Sequence, residues 1–208
     1  MASEPKICDQ LKWYSVGKTN PFDAPILDLR CITLNYTSFT KDKSTAQNYN
    51  ASRSSDGTEF ILEKFDESFR YESSIKYPHN GVALEGIVFK SNVMEVKWDI
   101  YAYAEWFYFV RSWSSNLVYK VHYKNLGDEL VLDYILTNLD EESNAQLHEQ
   151  NVHSIMMTHV FNKVWPYAIP KKIKLNSDQE IALYLFSNYG NKATIATHVN
   201  VLEIIKNK

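Results

Sequence analysis

Hinges, staples and phosphate cradles are what this chain of 208 residues has least of, with six glycines, six prolines and two cysteines. It contains no Gly-x-Ser-x-Gly, no P-loop and no dinucleotide glycine pattern, so the signatures of an elbow nucleophile and of a nucleotide cradle are missing. No cofactor is expected. Met1-Ala2-Ser3-Glu4-Pro5-Lys6 carries no apolar leader, and no uninterrupted apolar run approaches the length that crosses a bilayer. The expectation is a soluble cytoplasmic chain with no membrane partner, in which Cys8 and Cys31 stay reduced. The sequons Asn35-Tyr36-Thr37 and Asn50-Ala51-Ser52 then carry no meaning. Charge of one sign is lacking too. A formal charge of −3 without a like-charged block gives no footprint for a nucleic-acid backbone, and nucleic acid is discounted as a partner.

What is abundant is aromatic. Phe, Trp and Tyr make up 14% of the residues and Tyr alone occurs 14 times, which suits sheet faces and contact surfaces. At 45% hydrophobic and 23% charged, with no compositional break, residues 1–208 read as a single domain. Between Gly86 and Thr137, β-branched and aromatic residues alternate with polar ones in runs separated by short turns. This predicts an α+β fold on an antiparallel sheet, with a four-strand meander at about 94–137 and C-terminal helices packed on one face.

The meander can be registered from its turns. A two-residue turn at Ala104-Glu105 sets Ala102 opposite Phe107, Ile100 opposite Phe109, Trp98 opposite Arg111 and Val96 opposite Trp113. A three-residue turn through Ser114-Ser115-Asn116 sets Trp113 against Leu117. A four-residue turn, Asn125-Leu126-Gly127-Asp128, sets Lys124 against Glu129, Lys120 against Asp133 and Tyr119 against Tyr134, with two complementary charge pairs on the outer face. Elsewhere, Ile26 to Ile32 reads as a strand and Thr40 caps a polar helix to about Arg53. Glu141 to Val164 forms a helix stopped by Trp165-Pro166, and Ser177 with Glu180 boxes a second helix that ends at Gly190. Ala193 to Thr197 and Val199 to Ile205 are β-rich.

Two places on the meander could bind. On one face Arg111 lies among Trp98 and Trp113, where a guanidinium needs an acid or an aromatic stack, or serves as an anion anchor for a small ligand. On the other face Tyr101, Tyr103, Trp106 and Tyr108 gather round the first turn as an interaction patch, unless helices cover them. His148, His153 and His159 are five and six residues apart, and His148 and His159 lie roughly 16 Å apart along a helix, so no metal site is expected. Asp99 reads as a surface acid near Lys97. No catalytic residue is identified.

Trp13-Tyr14-Ser15-Val16-Gly17, Asn20-Pro21-Phe22 and Ile26-Leu27-Asp28-Leu29-Arg30 resemble segments of a group of uncharacterised bacterial proteins of similar length. So do Phe89-Lys90, Lys97-Trp98-Asp99-Ile100-Tyr101, Arg111-Ser112-Trp113, Thr158-His159 with Pro166 and Pro170, and Tyr189-Gly190. Members of that group carry Asp-Gly where this chain has Ala104-Glu105, and Thr-Gly where it has Ser114-Ser115. The group has no known activity, so the resemblance implies no function. The leading expectation is a non-catalytic protein that binds a protein partner or a second copy of itself, of which an immunity-type or defence-associated protein is one form. The alternative is a small-ligand-binding protein or hydrolase centred on Arg111.

Overall fold

A computed structural model describes residues 10–65, 69–139 and 145–204. Cys8, the predicted helix start at 141–144 and Ile205 lie outside them. In chain order the elements are β1 (Lys12–Tyr14), β2 (Ile26–Asp28), α1 (Arg30–Thr33), α2 (Lys43–Ser52), β3 (Arg70–Glu72), β4 (Lys76–Pro78), β5 (Gly86–Phe89) and β6 (Trp98–Tyr103). Then follow β7 (Trp106–Arg111), β8 (Leu117–Asn125), β9 (Glu129–Thr137), α3 (Ala145–Ile155), β10 (Tyr167–Ala168), α4 (Asp178–Tyr189) and β11 (Ile195–Thr197). The architecture is α+β, with two mostly antiparallel sheets. The chain divides into two compact units, one from Ser38–Val152 and one from Met1–Thr37 with His153–Lys208.

The larger unit is the meander and its cover. Its sheet runs β3-β9-β8-β7-β6-β5, with β4 also on β9. Trp98, Ile100, Phe107, Phe109, Tyr119, Val121 and Leu132 are buried on the core face; β8 shows the alternation of a half-covered sheet, while β6 and β7 are buried on both faces. The first turn sits as predicted, pairing Trp98 with Arg111, Ile100 with Phe109 and Ala102 with Phe107. Ala104 and Glu105 take φ of 48° and 65°. These are the left-handed values that a primed two-residue turn demands, held here without glycine.

The next two registers differ from the sequence reading, and each difference combines a turn of another length with a bulge. Strand β7 stops at Arg111, because Ser115 N–H returns to Arg111 O and Arg111 N–H to Asn116 O, with Ser115 at φ 55°. Leu117 therefore faces Val110 and not Trp113, and Val118 is the extra residue between the pairs Phe109–Tyr119 and Val110–Leu117. The third turn is tighter than expected: Leu126 N–H reaches Glu129 O, and Gly127 at φ 94° takes the left-handed position. Tyr123 then faces Leu132 while His122 faces Tyr134, which leaves Asp133 as the bulged residue. The predicted pairs Lys124–Glu129 and Lys120–Asp133 are exchanged for others: Lys124 binds Asp133 at 2.7 Å, and Glu129 binds Lys76 at 2.8 Å.

The smaller unit holds the sheet β1-β2-β11-β10. Helix α4 packs on it, its Tyr189 ring 4.2 Å from that of Tyr167. Ser177 caps α4 by accepting from Glu180 N–H, and Gly190 at φ 67° follows its end, as the sequence predicts. The predicted strand from Ile26 breaks after Asp28, whose carboxylate accepts from Arg30 N–H and starts the helical turn α1. Helix α3 continues into a π-helical turn, Met156–Val160.

Candidate functional site

The bulge at Asp133 decides what the outer face of the meander presents. The sequence register puts Tyr134 on the core side opposite Tyr119. The extra residue turns it outward. The result is one cross-strand row, Tyr103–Trp106–His122–Tyr134–Glu72, running over five strands. Tyr134 stacks on His122 at 5.0 Å and 18°, and Trp106 meets Tyr134 edge-on at 5.4 Å. The neighbouring row brings cations over these rings. Arg70 lies 3.6 Å from the centroid of Tyr134, and Lys120 4.7 Å from that of Trp106. All four aromatic members are half-buried, so the row forms part of the surface of the sheet.

Its charges are largely compensated in place. Arg70 pairs with Glu72 at 2.8 Å, and Asp133 accepts from Lys124 while lying 3.1 Å from His122. Asp133 is held below the usual carboxylate range, first by the Lys124 hydrogen bond.

Two of the four predicted patch residues are not on this surface. Tyr101 and Tyr108 are each 1% exposed. They form a buried cluster with Phe60, Val110 and Leu117, against which Tyr103 and Trp106 pack. The cover is the strap around residues 55–65, not the C-terminal helices. Gly57, at φ 90°, lies flat on the Tyr101 ring, where a Cβ would come within 2.2 Å of the ring carbon Cγ. Tyr103 OH donates to Asp56 O at 2.8 Å.

Asp99 is likewise interior, at 1% exposure, and its partner is Lys90, not Lys97. Lys90 Nζ lies 3.0 Å from Asp99 Oδ2 and also donates to Tyr101 OH and to the carbonyls of Ser52 and Ser55. Burial pulls the Lys90 pKa down, but the hydrogen bonds to Tyr101 and Asp99 hold it above its ordinary value. Through Lys90 this carboxylate is tied to the carbonyls of Ser52 and Ser55, which clamps the strap to the sheet.

The Arg111 site is distributed differently from the sequence reading. The Arg111 guanidinium stacks over Trp98 at 4.9 Å. Trp113 instead carries Lys97, whose Nζ lies 4.0 Å from its ring and donates to Ser38 Oγ and Met94 O. Burial, with the Arg111 charge second, lowers Lys97 to about 8. A cavity of about 360 Å³ opens beside Glu63, residues 115–118 and 138–139, and Arg111 does not line it.

The histidines of α3 and its π-turn pack against neighbouring rings and a hydroxyl. His148 packs between Tyr71 and Tyr119, and Thr158 Oγ1 lies 2.9 Å from His159 Nδ1 and 2.7 Å from Tyr167 OH. Burial lowers His148 and His153 to about 4 and His159 to about 3. Among the described residues no group of three or more His, Cys, Asp or Glu could hold a metal ion, and no helix is long and apolar enough to cross a membrane.

His122, Tyr134, Arg70 and Lys120 are the site residues that sequence reasoning missed. One signal was present. Leu130 and Leu132 keep one parity in β9 while Ile135 and Thr137 keep the other, and that break marks the bulge. No family model matches the chain, and no curated protein or solved structure matches it either.

Proposed function

We propose that this is a non-catalytic cytoplasmic protein that docks another protein on the outer face of its meander. The observation that carries the reading is the row Tyr103–Trp106–His122–Tyr134 with Arg70 and Lys120 over its rings. Trp, Tyr and Arg are the residues that dominate protein interfaces, because they bury large rigid surface at small entropic cost. Compensated charge on the same face favours a protein surface over a polyanion.

A photocrosslinking amino acid in place of Lys120, compared with one in place of the exposed Leu183 on α4, tests this in cells. The expected result is a discrete protein adduct from position 120 and none of that mass from 183. The same products from both positions would overturn it. An adduct between two copies of this chain identifies the partner as a second copy.

A further inference from the structure

The cavity beside the outer face has a composition that specifies what enters it. Its floor is the buried Leu117, Leu139 lies on its rim, and Ser115, Asn116 and Asn138 supply neutral donors and acceptors. Glu63 is the one charged side chain of the lining among the described residues. Partial burial raises the Glu63 pKa, and Lys120 opposes that shift from a distance. Lys120 itself sits over Trp106, and Leu117 of the lining belongs to the buried cluster against which Trp106 packs, so the cavity lies next to the aromatic row. On the strap next to Glu63, Ile61 and Leu62 are exposed apolar side chains.

An anion entering here would meet the Glu63 carboxylate. A cation would relieve its desolvation. The carboxamides of Asn116 and Asn138 each offer a donor and an acceptor, the pair that a peptide unit presents in complement. Leucine at floor and rim suits an aliphatic stem more than a polyol.

From these features we infer that the cavity receives a lysine or arginine side chain of the docked protein, with Glu63 as counter-ion and Asn116 and Asn138 holding the adjoining peptide units. This rests on the outer face being a protein-docking surface and names the residue type that the partner places there.

The test uses the full chain, ¹⁵N-labelled, titrated with acetyl-Leu-Arg-amide and with acetyl-Leu-Glu-amide. Saturable shifts confined to residues 115–118 and 138–139 are expected with the basic peptide. Binding about two- to fivefold weaker is expected for the acidic peptide and for Glu63→Gln, the size of a partly exposed ion pair. Glu63 is exposed, and an unchanged spectrum of Glu63→Gln outside the cavity confirms its fold. Failure to saturate, or equal binding by the acidic peptide or by Glu63→Gln, overturns the inference. No partner protein enters this titration, so its failure is separable from failure of the crosslinking test above.

Discussion

At the residue scale two positions hold the strap to the sheet. Gly57 combines a left-handed backbone with a ring 2.2 Å from where a Cβ would stand. Gly57→Ala is expected to cost about 2–4 kcal/mol in urea unfolding, as left-handed strain and overpacking add. Gly17→Ala, with nothing within 4 Å, should stay near neutral. The second position is the Lys90–Asp99 pair, whose acid is 1% exposed. Asp99→Asn or Lys90→Met alone should cost about 3 kcal/mol, since each leaves a charge in the interior. The double variant should cost clearly less than the sum, and additivity in a double-mutant cycle would show that the pair is not coupled.

At the scale of elements, turns and bulges set the geometry. Ala104 and Glu105 accept left-handed φ that Asn and Gly adopt more readily. Ala104→Asn with Glu105→Gly should stabilise the protein by about 1 kcal/mol, read as a shift in urea midpoint at constant slope. An unchanged midpoint would mean that the turn carries no strain.

The first hairpin was legible because no bulge interrupts its pairing from Tyr103–Trp106 to Trp98–Arg111, so the turn alone sets the register. The second and third were misregistered by bulges at Val118 and Asp133, which flip parity while leaving local hydrophobicity unchanged. The helix caps at Ser177 and Gly190 were legible because their chemistry is local. The aromatic cluster round the first turn was legible as a cluster, but its cover was not. The strap that buries Tyr101 and Tyr108 is joined to them by a glycine against a ring and by a lysine from β5's end, pairings that no spacing announces. Tyr134, by contrast, needed the bulge to reach the surface at all.

At the scale of the molecule, the histidines set the acid limit. Burial holds His148 and His153 near 4 and His159 near 3, against an ordinary value of 6.5. Below pH 6.5 the unfolded chain takes up protons on these groups before the folded one does. Stability from their neutral burial is therefore full above about pH 6.5 and falls as pH drops toward 4 and below. Urea midpoints from pH 8 to pH 4 should decline below pH 6.5, and His159→Gln should flatten part of that slope. A profile level through this window would contradict buried neutral histidines.

The same scale carries the functional reading, since a docking face made of cross-strand rings is only as good as the sheet that aligns them. The most direct measurement is the affinity of the protein crosslinked at position 120 for Trp106→Ala and Tyr134→Ala, each checked for wild-type folding. Both are predicted to bind at least about tenfold more weakly, with Leu183→Ala within about twofold of wild type. Affinities for Trp106→Ala and Tyr134→Ala that stay within about twofold would contradict the outer face as the docking surface.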